Sequence, residues 1–297
     1  MINPDELYDA DFSEEEVNGV LEGISIPPCP QIVVELLKET RRDDVDFSRI
    51  SSLIIGDVAL SVAVLKTANS PFFSLRRKAQ SVQQAVAVLG LRNLLKIIYG
   101  LVLKKSVDIA DPVEMTRFWD RSNYNAVVCA YLAARVGGVS TDNAYTFGLF
   151  HDAGLAILMQ KFPDYKATLL LANAMPSGVT KIEDERHNTN HVTIGALLAR
   201  NWYLPEPVVW AIRYHHDYSI FTSPSKHATS EVCGLVAVRL LSEHIVASFT
   251  NYPDDAEWAA SKDVALSHLG WFDEDIDEMS KAINEDLREI QSDRGLP

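Results

Sequence analysis

Five residues within one 66-residue segment are of the types that bind transition metals. They are His151 and Asp152 in FGLFHDAG, His191 in HNTNHVTIG, and His215 and His216 in AIRYHHD. Divalent transition metals take neutral imidazole and carboxylate ligands that converge from several elements. The chemistry such a set supports is metal-assisted hydrolysis, in which a bound ion lowers the pKa of water and polarises an oxygen of the substrate. Plainer readings stand beside this one. His151 reads equally as a buried histidine with both nitrogens satisfied, and Asp152 as a helix-end carboxylate. His215 and His216 read as a helix C-terminal pair facing the dipole. Adjacent residues on a helix point about 100° apart, so His151 and Asp152 share an ion only at a helix edge. His187 and His191 are four apart and are expected on one helix face. His187, His227, His244 and His268 read as packed or solvated side chains.

The pattern around these residues is helical from end to end. Asp46 and Asp57 are placed to cap helices, and Gly56 and Asn69-Ser70-Pro71 to end them. Ser13-x-x-Glu16 and Ser81-x-x-Gln84 form capping boxes, and Gly90 breaks the run after the second. IPPCP at 26–30 is a rigid extended lead-in, because each proline fixes its own φ. Beyond a polar SVDIADP stretch, apolar spacing predicts helices over 111–137, 141–161, 163–174, 185–201, 205–214 and 225–249. The acidic tail from Tyr252 keeps helical spacing through Ile290.

Composition narrows the function. A net charge of −14 opposes the basic footprint that nucleic acid rewards. Cys29, Cys129 and Cys233 lie far apart with no CxxC, as expected of reduced thiols packed as small hydrophobes. The acidic, polar N-terminus is not a secretory signal, and no stretch is expected to supply the roughly 18 apolar residues of a membrane span. A cytoplasmic chain with no membrane partner is therefore expected. There is no GxSxG, P-loop, strand-borne GxGxxG or HExxH.

Three further blocks make the chain resemble a known family. They are ISIPPCPQIVVELL, then ISSLIIGDVALSVAVLKTANSPFF with Asp57, Leu60, Leu65, Asn69 and Ser70, and then SVQQAVAVLGLRNLLKII with Ala85, Leu89 and Gly90. With FWDRSNYNAVV and the histidine segments, they are similar to HDOD domains over about residues 24–245. These are HD-related output domains of bacterial signalling proteins. The resemblance implies an all-α, HD-domain-like multi-helix bundle. It divides the chain into an extension (1–23), an N-terminal helical part (24–110), an HD-like part (111–250) and acidic C-terminal helices on the same domain (251–297). Active HD-type phosphohydrolases take the order His, His-Asp, Asp, and relatives that cleave cyclic dinucleotides add a His and a His-His pair. His151, Asp152, His191, His215 and His216 match that order. The first-His position is Arg121, with Asn125 one turn on as a fallback ligand. The last-Asp position is Val238. A permanent cation at the first position repels a divalent ion, and valine at the last removes a ligand. Arg121 is then expected to pair with Asp152.

The resemblance therefore implies a non-catalytic signalling output or scaffold module, with input from a separate protein or directly to this domain. Its partners would be signalling proteins or a small nucleotide-like ligand, and no cofactor is expected. The alternative is a metal-dependent phosphohydrolase or phosphodiesterase on nucleotides or cyclic dinucleotides, with iron, manganese or zinc held by the five retained residues. A third possibility is a metal-bound but inactive sensor. Asn69, Ser70, Phe72 and Phe73 form a candidate contact patch, or a helix end whose aromatics plug an internal interface.

Overall fold

The computed structural model describes residues 23–69, 78–107, 112–172, 178–223, 225–251 and 256–293, and every regular element among them is helical. The chain divides into two compact units. One takes residues 29–106 with the stretch from Lys281, and the other takes 107–280 with the described residues up to Pro28.

In the first unit, α1 (Gln31–Thr40), α2 (Phe47–Ile55) and α3 (Val58–Ala68) pack on α4 (Val82–Ser106). Val33, Leu36, Ile50, Ile54, Val64, Leu94 and Ile98 are fully buried between them. The capping residues act as their chemistry predicts. Asp46 accepts from Arg49 N at 2.9 Å and Asp57 from Leu60 N at 2.9 Å. Gly90 interrupts α4 at φ 69°, ψ 171°, a conformation open to glycine and costly for other residues. Asn69 ends α3 and grips the backbone of Ala79 from both sides, accepting from its N–H at 2.7 Å and donating to its carbonyl at 2.9 Å. This makes Asn69 a loop clasp. Ser70, Phe72 and Phe73 of the expected contact patch lie outside the described residues, as does the Ser13 capping box.

The second unit holds α5 (Pro112–Ala133), α6 (Thr141–Phe150), α7 (Ala153–Lys161), α8 (Tyr165–Ala172), α9 (Val179–His187), α10 (His191–Asn201) and α11 (Glu206–Tyr214). A 3₁₀ turn (Tyr218–Phe221), α12 (Ser230–Phe249), α13 (Ala256–Leu269) and the start of α14 (Asp273–Asp293) complete it. α12 is the central rod, buried along most of its length, and α5, α11 and α13 pack around it. α10 packs on α7 and α11. Asn201 and Trp202, at the end of α10, both donate to the Pro27 carbonyl at 3.0 Å, which seats the proline-rich lead-in.

Three expectations are corrected here. The predicted 141–161 helix breaks at His151-Asp152, with His151 ending α6 and Asp152 starting α7. The predicted 185–201 helix breaks at Asn188, which takes a left-handed φ of 56°. Asn190 then caps α10 by accepting from Thr193 N, so His187 and His191 sit on different helices and share no face. Finally, α4 and α12 are long and apolar enough, by length and composition, to cross a membrane. Neither is an unbroken apolar run, since Arg92 and Lys96 interrupt the first and Arg239 and Glu243 the second. In α12, 83% of the apolar window is buried inside the protein. In α4, Gly90 leaves a continuous piece of about 24 Å at 1.5 Å per residue, short of the roughly 30 Å hydrocarbon core.

Candidate metal centre

The two helix breaks build the site. At the break His151 still has helical φ/ψ while Asp152 leaves it (φ −99°, ψ 8°), and the two side chains meet with His151 Nε2 3.3 Å from Asp152 Oδ2. A break before His191 starts α10 inside the unit, with His191 in its first turn. Gly154 lets the two breaks meet. A Cβ there would lie 2.0 Å from the His191 carbonyl oxygen and 2.9 Å from Gly195 N, so only glycine permits this crossing of α7 and α10. His215 ends α11, and His216 follows it.

Each histidine is held from behind. His151 Nδ1 donates to the Gly148 carbonyl at 2.9 Å, and His215 Nδ1 donates to the Ile212 carbonyl at 2.8 Å. His191 Nδ1 lies 2.7 Å and 3.0 Å from the two oxygens of Glu183, which also accepts from His191 N and from the Tyr165 hydroxyl. His216 Nδ1 is 2.5 Å from Glu257, which also accepts from the Tyr218 hydroxyl. With Nδ1 anchored, each ring offers Nε2, the arrangement by which outer partners orient metal-ligating histidines. His191 Nε2 and His215 Nε2 are 3.2 Å apart, and Asp152 Oδ1 lies 3.9 Å and 3.6 Å from them. His191, His215 and His216 form one group with ligand atoms within 4.8 Å of one another; His151, Asp152 and Glu243 form another.

Arg239 and His151 complete the site. Arg239 on α12, 2% exposed, meets Glu243 at 2.5 Å, Glu257 at 3.4 Å and the His215 carbonyl at 3.3 Å. His151 Nε2 lies 3.2 Å from Glu243 Oε1 and 3.3 Å from Asp152 Oδ2. Burial pulls the His151 imidazole down, but the carboxylates of Asp152 and Glu243 outweigh it and push its pKa up to about 9. Burial also opposes ionisation of Glu243, yet Arg239 and His151 hold its carboxyl below the usual range. His215 is driven well below the ordinary imidazole value by burial and by neighbouring His216, so it is neutral.

The donor set fits a divalent ion best at Asp152, His191 and His215. Asp152, His191 and His215 bring a carboxylate and two imidazole nitrogens together, each imidazole with its outer nitrogen occupied. In the other group, Glu243 already faces Arg239 on one oxygen and both His151 and Arg121 on the other. Cations of the protein's own occupy the charge a second ion would need.

All five expected ligands thus converge. The remaining expected positions behave differently. The carboxylate Arg121 meets is Glu243, at 3.5 Å, in place of the Asp152 pairing expected, because α12 presents Glu243 to α5. Val238 is buried, and the residues of α12 that reach the cluster are Arg239 and Glu243. Asn125 accepts from the Ser242 hydroxyl at 2.8 Å and ties α5 to α12. The sequence reading missed Glu183, Arg239, Glu243 and Glu257. For Arg239 and Glu243 a signal was present: two opposite charges four apart inside the apolar run GLVAVRLLSEHIVA. The four lone histidines pack as expected; His187 stacks on Phe162, His227 on Trp210 and His244 on Trp258, and His268 lies against Phe221.

The HDOD domain family model matches residues 26–218. The chain belongs to the HDOD family. A Treponema pallidum (strain Nichols) protein of uncharacterised function is 29% identical over 194 residues, covering 65% of this chain and 38% of that protein, so this chain spans well under half the length of that relative. Among solved structures, a candidate phosphohydrolase of Shewanella amazonensis SB2B matches with a TM-score of 0.68 at 24% identity, over 94% of this chain and 98% of its own. A candidate signal transduction protein of Marinobacter aquaeolei VT8 has the same TM-score at 21% identity, over 97% of this chain and 67% of its own. These likenesses establish the all-helical HDOD fold.

Proposed function

We propose that this HDOD chain is a non-catalytic, cytoplasmic signalling module that works by binding partner proteins or a small ligand. One observation carries the reading: Arg239, buried between Glu243 and Glu257, fixes a positive charge on carboxylates that border His151 and His216. A two-metal centre clamps both the attacking and the leaving oxygen of a phosphoryl transfer. Here a fixed guanidinium neutralises those carboxylates, and a guanidinium carries no water to activate. The first-His position adds a second cation, Arg121, on the same Glu243. One structural relative is described as a candidate signal transduction protein, which agrees with this reading.

Asp152, His191 and His215 would hold a single iron, manganese or zinc ion, with Glu183 and the Ile212 carbonyl orienting the two rings. When bound, such an ion supplies Lewis acidity and helps order the α7, α10 and α11 ends. That corner favours a second reading, a one-metal phosphohydrolase. A hydrolysis panel separates the two. Metal-loaded protein is incubated with nucleoside mono-, di- and triphosphates and cyclic dinucleotides. The non-catalytic reading expects no turnover above the metal-only control. Turnover abolished by Asp152→Ala would replace it with the phosphohydrolase.

A further inference from the structure

Beside the metal centre, a cleft of about 400 Å³ opens between α9, the first turn of α10 and the end of α11. We propose that it binds the phosphate group of a small phosphorylated molecule of mononucleotide size. This deepens the signalling reading and rests on it for its meaning, since it names the ligand the module would sense.

The wall of the cleft is polar. Thr180, Asn188, Thr189, Asn190 and Thr193 line it together with Arg213. The start of α10 supplies the anion-binding element, because the amides of a helix N-terminus point outward and carry its positive end. Two of those amides are taken by side chains: His191 N donates to Glu183 and Thr193 N to Asn190. Val192, whose amide lies between them, lines the cleft. The second observation is independent. Thr193 also lines the cleft and is 2% exposed, yet among the described residues its hydroxyl has no hydrogen-bond partner. A buried hydroxyl without a partner costs stability unless something else satisfies it.

Two acids also lie in the wall, and Arg213 with the start of α10 must outweigh their negative charge. Asp184 accepts from Asn190 Nδ2 at 2.8 Å, and Asp217 accepts from Ser219 N and Oγ at 3.1 Å and 2.6 Å. Arg213 adds a guanidinium suited to phosphate geometry. The volume lies in the range of small-molecule sites, roughly 300–1,000 Å³. His216 lines the cleft and also belongs to the His191, His215 and His216 group, so a bound molecule touches the metal centre through that one ring.

The test is calorimetric titration of the full chain with inorganic phosphate and, separately, with adenosine 5′-monophosphate. Saturable binding is expected. Thr193→Val should weaken it about tenfold, the worth of one hydrogen bond to a charged acceptor. The melting temperature without ligand should hold or rise, because valine removes the unsatisfied hydroxyl. Arg213→Met should weaken binding independently. Tighter binding of the monophosphate than of phosphate supports a mononucleotide-sized ligand, and equal binding assigns the same site to free phosphate. No saturable binding of either up to about 10 mM overturns the proposal. So does binding that survives both variants, or binding that Thr193→Val leaves intact while His191→Ala abolishes it, which puts the anion on the metal centre. Turnover of the monophosphate would contradict the non-catalytic reading and leave the cleft standing. Absence of binding would do the reverse.

Discussion

His191 and His215 meet Nε2 to Nε2 at 3.2 Å, while Glu183 holds the first ring from behind and the Ile212 carbonyl holds the second. With both Nδ1 atoms donating, two neutral rings would aim lone pairs at each other. The contact therefore holds either a proton or a metal. Burial opposes a charged His191, but Glu183 raises its pKa and outweighs that, while His215 is held neutral, so the proton sits on His191 when no metal is bound. Metal loading should then release about one proton per ion from this pair, and affinity should rise with pH. Calorimetry of zinc or manganese binding in two buffers of different ionisation enthalpy reads that proton directly. Loading with no proton release would contradict the pairing.

Arg239 holds Glu243 and Glu257 together in the interior. Removing one partner of a buried ion pair costs about 3–5 kcal/mol. Arg239→Met in chelator should lower unfolding stability by that order, measured by denaturant titration. Two released carboxylates also become ligands, so added manganese should restore part of the loss in this variant. Stability equal to wild type in chelator would mean that Arg239 does not neutralise the cluster.

Gly154 leaves no room for a side chain, since its Cβ would meet the His191 carbonyl oxygen at 2.0 Å. Gly154→Ala forces α7 and α10 apart at the point that joins Asp152 to His191. We expect a loss of about 3 kcal/mol or more, at the upper end of overpacking costs. Metal affinity should fall with it, because the ligands sit on the two displaced helices. A variant with wild-type stability and affinity would show that the helices do not cross so closely.

His151 makes stability depend on pH in the metal-free protein. Its folded pKa of about 9 lies above the ordinary 6.5. A raised value means that the folded state favours the protonated ring, so the contribution is full below pH 6.5 and is lost as pH rises through about 9. The size is about 3 kcal/mol. Denaturant titrations in chelator at pH 6, 7.5 and 9 should show that fall, and His151→Gln should flatten it. A wild-type profile level from pH 6 to 9 would remove the buried imidazolium.

Much of the fold was legible. Asp46 and Asp57 cap helices where their types require it, and Gly90 breaks α4 where a glycine was expected to. The five metal-type residues were visible from identity and order, and they converge. The breaks that bring them together were hidden. Apolar spacing runs through His151-Asp152 without interruption, because the residues around that turn are buried on both sides, while the break at Asn188 lies inside the polar stretch DERHNTN, where no apolar spacing marks a helix end. The second layer was hidden for another reason. Glu183 and Glu257 look like surface carboxylates in acidic segments, and only tertiary packing turns them inward.

The central claim is that Arg239 neutralises Glu243 and Glu257, so the centre holds one ion. The direct measurement is the metal-to-chain ratio of untagged protein after reconstitution with manganese, iron or zinc and removal of excess metal, read by inductively coupled plasma mass spectrometry. One ion per chain is predicted, falling toward zero in the His191→Ala, His215→Ala double variant. Two ions per chain in the wild type would contradict the account, since Glu243 would then be a ligand and not the partner of Arg239.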